Sequence, residues 1–248
     1  MSEQLDSIAE PQRLFLAWQS SDLHGANRYR YAVGVIERLP ETIFRYFARG
    51  SEFEQHNQGR SYSELEALGY TGYPAFDRSR LVHSSGVMDA LMRRLPPRSR
   101  KDFAEYAARF LLPAGEAISD AALLGRTEAT LPSDGFSVVD PLNPDTTRCD
   151  LLLEVAGYRY YAAEVEIASG QVIEVVADRS NKHDPNAVEF RVGGQKFGNV
   201  NRLQAQTFRR WLEEARVDGR VERINGTPER PRAFVFIRVR PKESRLAA

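Results

Sequence analysis

The sequence predicts an α+β protein, with an N-terminal mixed α/β domain followed by a small β-barrel-like domain with one or two helices. Three observations support this fold class. Apolar residues follow helical spacing in the first half, Gly and Pro cluster near the middle, and many short strand-like runs come after them. A length of 248 residues allows each domain its own core. We therefore expect a first domain over residues 1–130, a junction over 131–148 and a barrel domain over 149–248.

In the first domain, strands precede helices. Residues 14–18 and 31–36 are apolar, strand-like runs, and a polar Ser/Asp/His/Gly/Asn loop separates them. The Gly/Pro/Tyr stretch at 68–76 indicates a loop with buried rings. Apolar residues at i, i+3 and i+4 then predict helices near residues 87–95, 103–111 and 116–124.

The second domain is dominated by strands. The pair Gly193-Gly194 predicts a two-residue hairpin turn, and Gly219 is expected to end a helix that covers residues 201–217. Strands are expected at residues 135–139, 150–155, 158–166, 172–177, 187–192, 195–200, 220–224 and 232–240.

Composition excludes several classes of function. The 34 basic and 34 acidic residues give no net charge, so no global electrostatic attraction to nucleic acid is expected. Cys149 is the only cysteine and the four histidines are scattered, which argues against a disulfide or a zinc site. No apolar run approaches the ~20 residues of a membrane-spanning helix. No signal peptide is evident, so a cytoplasmic protein without cofactor or membrane partner is expected.

Two short segments carry the chemistry. Residues 157–161 read Gly-Tyr-Arg-Tyr-Tyr, and residues 179–188 form a polar turn that opens into a strand. Aromatic rings, a guanidinium and a turn carboxylate suit the binding of a nucleotide at a strand end. Two simpler interpretations remain open: the tyrosines alternate along a half-buried strand, and Asp184 bonds its own backbone.

Residues 149–240 resemble the HIRAN domain. The resemblance rests on the segments at 157–161 and 172–188 and on Lys196-Phe-Gly-Asn-Val-Asn-Arg202. The family's usual Asn-Pro-Tyr/Phe-Asp turn is matched at Asn181 and Asp184, whereas Lys182 and His183 replace its inner pair. The resemblance implies a variant OB-type barrel, as found fused to Swi/Snf-type helicases and in small stand-alone bacterial proteins.

The resemblance also implies a partner and a set of contacts. HIRAN domains hold the 3′ end of single-stranded DNA, which suggests a role in DNA repair. The implied contacts are a phosphate for Arg159, the terminal bases for Tyr160 and Tyr161, the 3′-hydroxyl for Asp184, the shape of the pocket for Asn181, and the strand backbone for Asn199 and Arg202. His183 is expected on the surface of the turn, where its imidazole could stack in place of the family's tyrosine.

The N-terminal part resembles the N-terminal subdomain of HipA-type toxin kinases, through residues 31–39 and Tyr73-Pro-Ala-Phe-Asp77. That subdomain is a packing and interaction element, so a protein partner is expected there. No kinase loop, phosphate-binding loop or complete nuclease motif is present, and we expect no enzymatic activity. The alternative function is a protein-interaction or regulatory subunit, of toxin–antitoxin or phage-defence type, whose HIRAN fold no longer binds DNA.

Overall fold

The computed structural model describes residues 4–20, 29–38, 40–113, 118–131 and 133–242. The chain divides into two compact units. The first is Glu10–Pro141, and the second is Leu142 onward together with the described part of Met1–Ala9. This division differs from the expected boundaries, because part of the expected junction belongs to the first unit and residues 4–9 belong to the second. Residues 21–28 of the polar loop expected between the first two strands lie outside the described residues, as do Leu39 and the start of the helix expected at 116–124.

The first unit is a five-stranded antiparallel sheet with short helices, and its strand order is β4-β3-β2-β1-β5. The strands are β1 Arg13–Gln19, β2 Arg30–Arg38, β3 Thr42–Tyr46, β4 Val82–His83 and β5 Phe136–Val139. The helices are α1 Ser51–His56, α2 Tyr62–Ala67, α3 Val87–Met92, α4 Phe103–Ala108 and α5 Asp120–Thr127.

The loop at residues 68–76 has the buried rings that the sequence predicts. Tyr70, Tyr73 and Phe76 are all buried. The Tyr46 hydroxyl donates to the carbonyl of Phe76 at 2.9 Å and accepts from the Tyr73 amide at 3.1 Å. Burial raises the pKa of Tyr46 to about 12, so the phenol stays neutral and can keep both hydrogen bonds. The aromatic residues of this loop therefore form core.

The second unit is a curled six-stranded antiparallel sheet in the order β6-β11-β10-β7-β8-β9. Just beyond β6, Ala156 forms an antiparallel bridge with Asn199, the last residue of β9. The two edges of the sheet therefore meet at one end, as expected of an OB-like fold. The elements are β6 Cys149–Glu154, β7 Val172–Ala177, β8 Val188–Val192, β9 Gln195–Asn199, α6 Arg202–Glu214, β10 Ala215–Thr227 and β11 Arg230–Pro241.

One face of this sheet and one face of α6 form the core of the second unit. Alternate residues of β11, including Val235 and Ile237, point inward because strand side chains alternate between faces. Phe208 and Trp211 of α6 pack against them. Burying such a set of aromatic and aliphatic side chains is the main stabilising contribution to the unit.

Three expectations for this unit are corrected. Residues 158–166 are not a strand, α6 ends at Glu214, and Gly219 lies inside β10. The helix ends early because Ala215 is already extended and pairs with Pro241 of β11, so cross-strand hydrogen bonds replace the next helical turn. The turn at Gly193-Gly194 between β8 and β9 is confirmed.

The N-terminal residues join the second unit through a buried carboxylate. Asp150 on β6 is fully buried, and its side chain lies 2.8 Å from Arg240 and 3.5 Å from Arg238. Its Oδ2 accepts from the Asp6 amide at 3.1 Å, and its own amide donates to the carbonyl of Ser7 at 2.7 Å. A buried carboxylate needs such partners, since a buried charge without them is costly.

We predict that Asp150→Ala lowers the free energy of unfolding of this unit by about 3–5 kcal/mol, because it leaves two guanidinium groups without their buried partner. Urea unfolding followed by Trp211 fluorescence in a Trp18→Phe background measures the change. Asp6→Ala is the control: Asp6 is exposed and 4.0 Å from Arg238, so a loss below about 1 kcal/mol is expected. Equal losses in the two variants would contradict the assignment.

Candidate nucleic-acid interface

A single 3₁₀ turn, Tyr158–Tyr160, stands where the sequence predicts a strand. Gly157 begins it with φ 77°, a left-handed conformation that suits glycine. Tyr158 is buried against Phe197, whereas the Tyr160 side chain is 66% exposed. The alternation of tyrosines along a half-buried strand is therefore excluded, and the turn presents Tyr160 to solvent.

Arg159, Tyr160 and Asn199 come together around Gly157. The Arg159 guanidinium donates to the Tyr160 hydroxyl at 2.5 Å, and its carbon lies 4.6 Å from the centre of the Tyr160 ring. A Cβ placed on Gly157 would lie 3.7 Å from Tyr160 Cδ2 and 4.0 Å from Asn199 Nδ2. The ring, the guanidinium and the amide thus form one small polar and aromatic surface.

The bridge between Ala156 and Asn199 holds this surface in place. Each residue donates its amide to the carbonyl of the other, at 2.8 and 2.9 Å. Gly198 makes the approach possible, because a Cβ there would lie 2.2 Å from Val155 Cγ1 and 3.0 Å from the carbonyl oxygen of Ala156. The end of β9 and the start of the 3₁₀ turn are consequently fixed next to each other.

The polar turn between β7 and β8 is organised by Asn181 and Asp184. Asn181 Oδ1 accepts from the amides of His183 and Asp184, both at 3.0 Å, and its Nδ2 donates to Asp178 Oδ2 at 3.1 Å. Asp184 Oδ1 accepts from the Asn186 amide at 2.9 Å. The interpretation that Asp184 bonds its own backbone is therefore confirmed for this oxygen, while Oδ2 has no partner among the described residues.

The two substituted positions of the turn, Lys182 and His183, are exposed. The His183 ring makes no ring contact or hydrogen bond with any residue in the described part of the chain. Its backbone amide is nevertheless held by Asn181. The imidazole therefore projects from a turn with a fixed backbone.

Lys196, to which the sequence assigns no role, links the two segments. Its Nζ lies 3.2 Å from Glu189, 3.5 Å from Asp178 and 5.9 Å from the centre of the Tyr161 ring. Asp178 is bound to Asn181 of the turn, and Tyr161 directly follows the 3₁₀ turn. The chain of contacts from Tyr161 through Lys196 and Asp178 therefore connects the predicted aromatic segment to the predicted turn.

The groups around Lys196 and Asp178 favour the ionised forms of both side chains. Burial alone would lower the pKa of Lys196, but the hydrogen bond with Glu189 and the electrostatic interactions with Tyr161, Glu189 and Asp178 together raise it. The hydrogen bond from the Ser180 hydroxyl, assisted by Asn181 and Lys196, holds the pKa of Asp178 below its ordinary value. The ion pairs of Lys196 therefore persist at neutral pH.

The remaining predicted residue, Arg202, lies at the start of α6. Asn201 caps this helix by accepting from the Leu203 amide at 3.1 Å. Arg202 is the first helical residue and is half-buried. It follows Asn199 by three positions, which places it beyond the bridge on the chain that leaves β9.

The described residues contain neither a cluster of metal ligands nor a membrane-spanning helix. No three His, Cys, Asp or Glu side chains are grouped so that they could hold a metal ion. No helix in the described ranges has the length and apolar character needed to cross a membrane.

Comparisons with known proteins find similarity in one region of the chain. The HIRAN domain family model matches residues 150–240. A solved structure of the HIRAN domain of human HLTF is 21% identical, covers 38% of this chain and 77% of its own, and has a TM-score of 0.32. A Lactobacillus plantarum protein structure is 19% identical, covers 36% of this chain and 98% of its own, and has a TM-score of 0.29.

No curated protein matches the chain. None of the comparisons supports the resemblance of the N-terminal part to the HipA N-terminal subdomain, which stays a prediction. The match over 150–240 covers both segments of the interface and the bridge between them. Residues 150–240 of this chain form a HIRAN domain.

Proposed function

We propose that the chain binds single-stranded DNA through its HIRAN domain and holds the free 3′ end, without catalysis of its own. The observation that carries the proposal is Tyr160, which is 66% exposed and lies beside the Arg159 guanidinium and the Asn199 amide on this domain. An exposed aromatic ring next to a planar cation suits a base and its phosphate. The first unit serves in this proposal as an interaction module.

The aromatic and cationic groups supply affinity without sequence preference. Stacking of a base on an aromatic side chain contributes ~1–3 kcal/mol and tolerates any base. Arg159 uses one donor on Tyr160, and a guanidinium has five N–H groups, so donors remain for a phosphate oxygen. Tyr161 is half-buried beside Lys196, which suits a wall of the pocket.

Asp184 supplies the preference for a strand end. Its Oδ1 is bound to the Asn186 amide, which orients the carboxylate, and its Oδ2 can accept a hydrogen bond from a hydroxyl. A phosphate at the same place would be repelled by the carboxylate. A free 3′-hydroxyl is the part of a DNA strand that fits such a group.

A second candidate function rests on one observation. Lys182 and His183 replace the inner pair of the family's turn, so an imidazole stands where the family has a Tyr or Phe ring. A HIRAN fold that has lost DNA binding and serves as a protein-interaction or regulatory subunit would be compatible with this change. In the first proposal, the exposed His183 imidazole stacks on a base instead.

We predict that the protein binds an oligonucleotide with a free 3′-hydroxyl about tenfold more tightly than the same oligonucleotide with a 3′-phosphate. Asp184→Asn should bring the two affinities close together, because the amide can still accept from Asn186 but no longer repels a phosphate. Fluorescence anisotropy with 5′-labelled oligonucleotides measures both. Equal binding of the two ends by the parent would refute the role of Asp184, and binding of neither would favour the second candidate.

We also predict that Tyr160→Ala weakens binding by a factor that corresponds to ~1–3 kcal/mol, the contribution of one stacked base. Tyr160→Phe is the matched control: it keeps the ring and removes only the hydroxyl that Arg159 contacts, so most of the affinity should remain. Because Tyr160 is exposed, both variants should fold, which circular dichroism checks. Unchanged affinity in Tyr160→Ala would show that bases do not stack there.

A further inference from the structure

The hairpin of β10 and β11 extends beyond the rest of its sheet. On the side of β7, the last backbone hydrogen bond of β10 is at Val221, whose amide donates to the carbonyl of Gln171. On the side of β6, the last backbone hydrogen bond of β11 is at Ala233, whose carbonyl accepts from the amide of Val155. Farther out, the backbone pairing of the described residues joins only the two strands of the hairpin, and the Ser169 hydroxyl adds one bond to the carbonyl of Glu222 at 2.8 Å. We call residues 222–233 the outer ribbon; most of its side chains are exposed.

The outer ribbon holds two guanidinium groups on one ring. The guanidinium carbons of Arg223 and Arg232 lie 4.2 and 5.1 Å from the centre of the Phe234 ring. The stack keeps the guanidinium of Arg223 beside the ring and leaves its N–H donors open to a ligand.

Arg223 has no counter-ion among the residues that the structure describes. Arg232 is bound to Glu154, with 2.8 Å between Nε and Oε1, and Arg220 lies 3.3 Å from Glu222. Within the described ranges, Arg223 forms neither an ion pair nor a hydrogen bond through its side chain. The two nearby carboxylates are thus engaged by other arginines, whereas the half-buried Arg223 lies against the Phe234 ring.

The charges around Arg223 favour the binding of an anion. Burial, together with the positive charge of Arg232, lowers the pKa of Arg223, and Glu222 and Glu154 only partly oppose this effect. The guanidinium nevertheless stays protonated at neutral pH, because the ordinary pKa of an arginine side chain lies far above 7. An anion bound beside Arg223 would relieve the repulsion between the two guanidinium groups.

The base of the outer ribbon adjoins the candidate interface. The hydrogen bond from Val155 to Ala233 lies two residues before Gly157, where the turn that presents Tyr160 begins. A strand whose end is held at Tyr160 would leave the pocket close to this ribbon. We propose that the outer ribbon, through Arg223, binds an internal phosphodiester of the same DNA strand, outside the end-binding pocket.

This inference rests on the proposed function, and oligonucleotides of two lengths distinguish a failure of the ribbon contact from a failure of the proposed function. A trinucleotide fills only the pocket, whereas a twelve-nucleotide strand also passes the ribbon. We expect Arg223→Gln to bind the twelve-mer about tenfold more weakly than the parent and the trinucleotide equally well. The slope of log affinity against log salt for the twelve-mer should fall by about 0.7, the value of one phosphate contact to a single strand.

Two further variants control for folding and for general charge. Arg223→Lys keeps the charge, so the salt slope of the parent should be retained even if loss of the planar stack weakens binding. Arg216→Gln removes an exposed arginine from the same strand, one that is paired with Asp218 and lies outside the ribbon, and should change neither quantity. Thermal unfolding of the full chain checks that each variant is folded.

The possible outcomes are distinct. The ribbon contact alone is overturned if Arg223→Gln binds the twelve-mer as the parent does, or if it loses the same affinity for both oligonucleotides. It is also overturned if Arg216→Gln loses as much affinity for the twelve-mer as Arg223→Gln does. Absence of binding by the parent to either oligonucleotide overturns the proposed function and the ribbon contact together. A loss confined to the twelve-mer, with the reduced slope, supports the ribbon contact.

Discussion

The pair of hydrogen bonds between Ala156 and Asn199 is the constraint on which the candidate interface depends. It joins the two edges of the six-stranded sheet and fixes the start of the 3₁₀ turn against the end of β9. The approach is so close that position 198 has no room for a Cβ beside Val155. With this contact in place, Tyr160 and Asn199 are neighbours, although 39 positions separate them in the chain.

The polar turn depends on a different principle. Its backbone is held by side chains of the turn itself, chiefly Asn181 and Asp184, and needs little from the surrounding sheet. Lys196 then ties this locally stable turn to the aromatic segment through Asp178. A site assembled in this way is largely formed before any ligand arrives, which reduces the entropy lost on binding.

The neutral net charge of the chain is compatible with DNA binding because the proposed contacts are few and local. Arg159 and Arg223 occupy defined places, and Arg220 and Arg232, which lie near Arg223, are paired with Glu222 and Glu154. Such a surface would hold a short stretch of strand. A broad basic face, which would bind long nucleic acid without regard to its ends, is not part of this arrangement.

Local sequence determined those features whose forces act between near neighbours. The Gly193-Gly194 hairpin, the start of α6 at Asn201 and the Asx bonds of the turn at Asn181 and Asp184 all follow from short-range chemistry. The motif spacing over residues 150–240 was likewise sufficient to indicate a HIRAN domain. The alternating Tyr-Arg-Tyr pattern misled the strand prediction, because aromatic alternation is typical of strands, whereas the conformation of Gly157 and the bridge to Asn199 impose a 3₁₀ turn.

Only the tertiary structure decided which distant groups meet. Lys196 contacts Asp178 because the strands between them curl back on each other, and no local pattern marks that pair. Asp150 holds the residues around Asp6 from 144 positions away, so the N-terminal segment joins the second unit rather than the first. In both cases the physical reason is the same: a partly or fully buried charge is stable only beside a partner, and folding brings that partner from elsewhere in the chain.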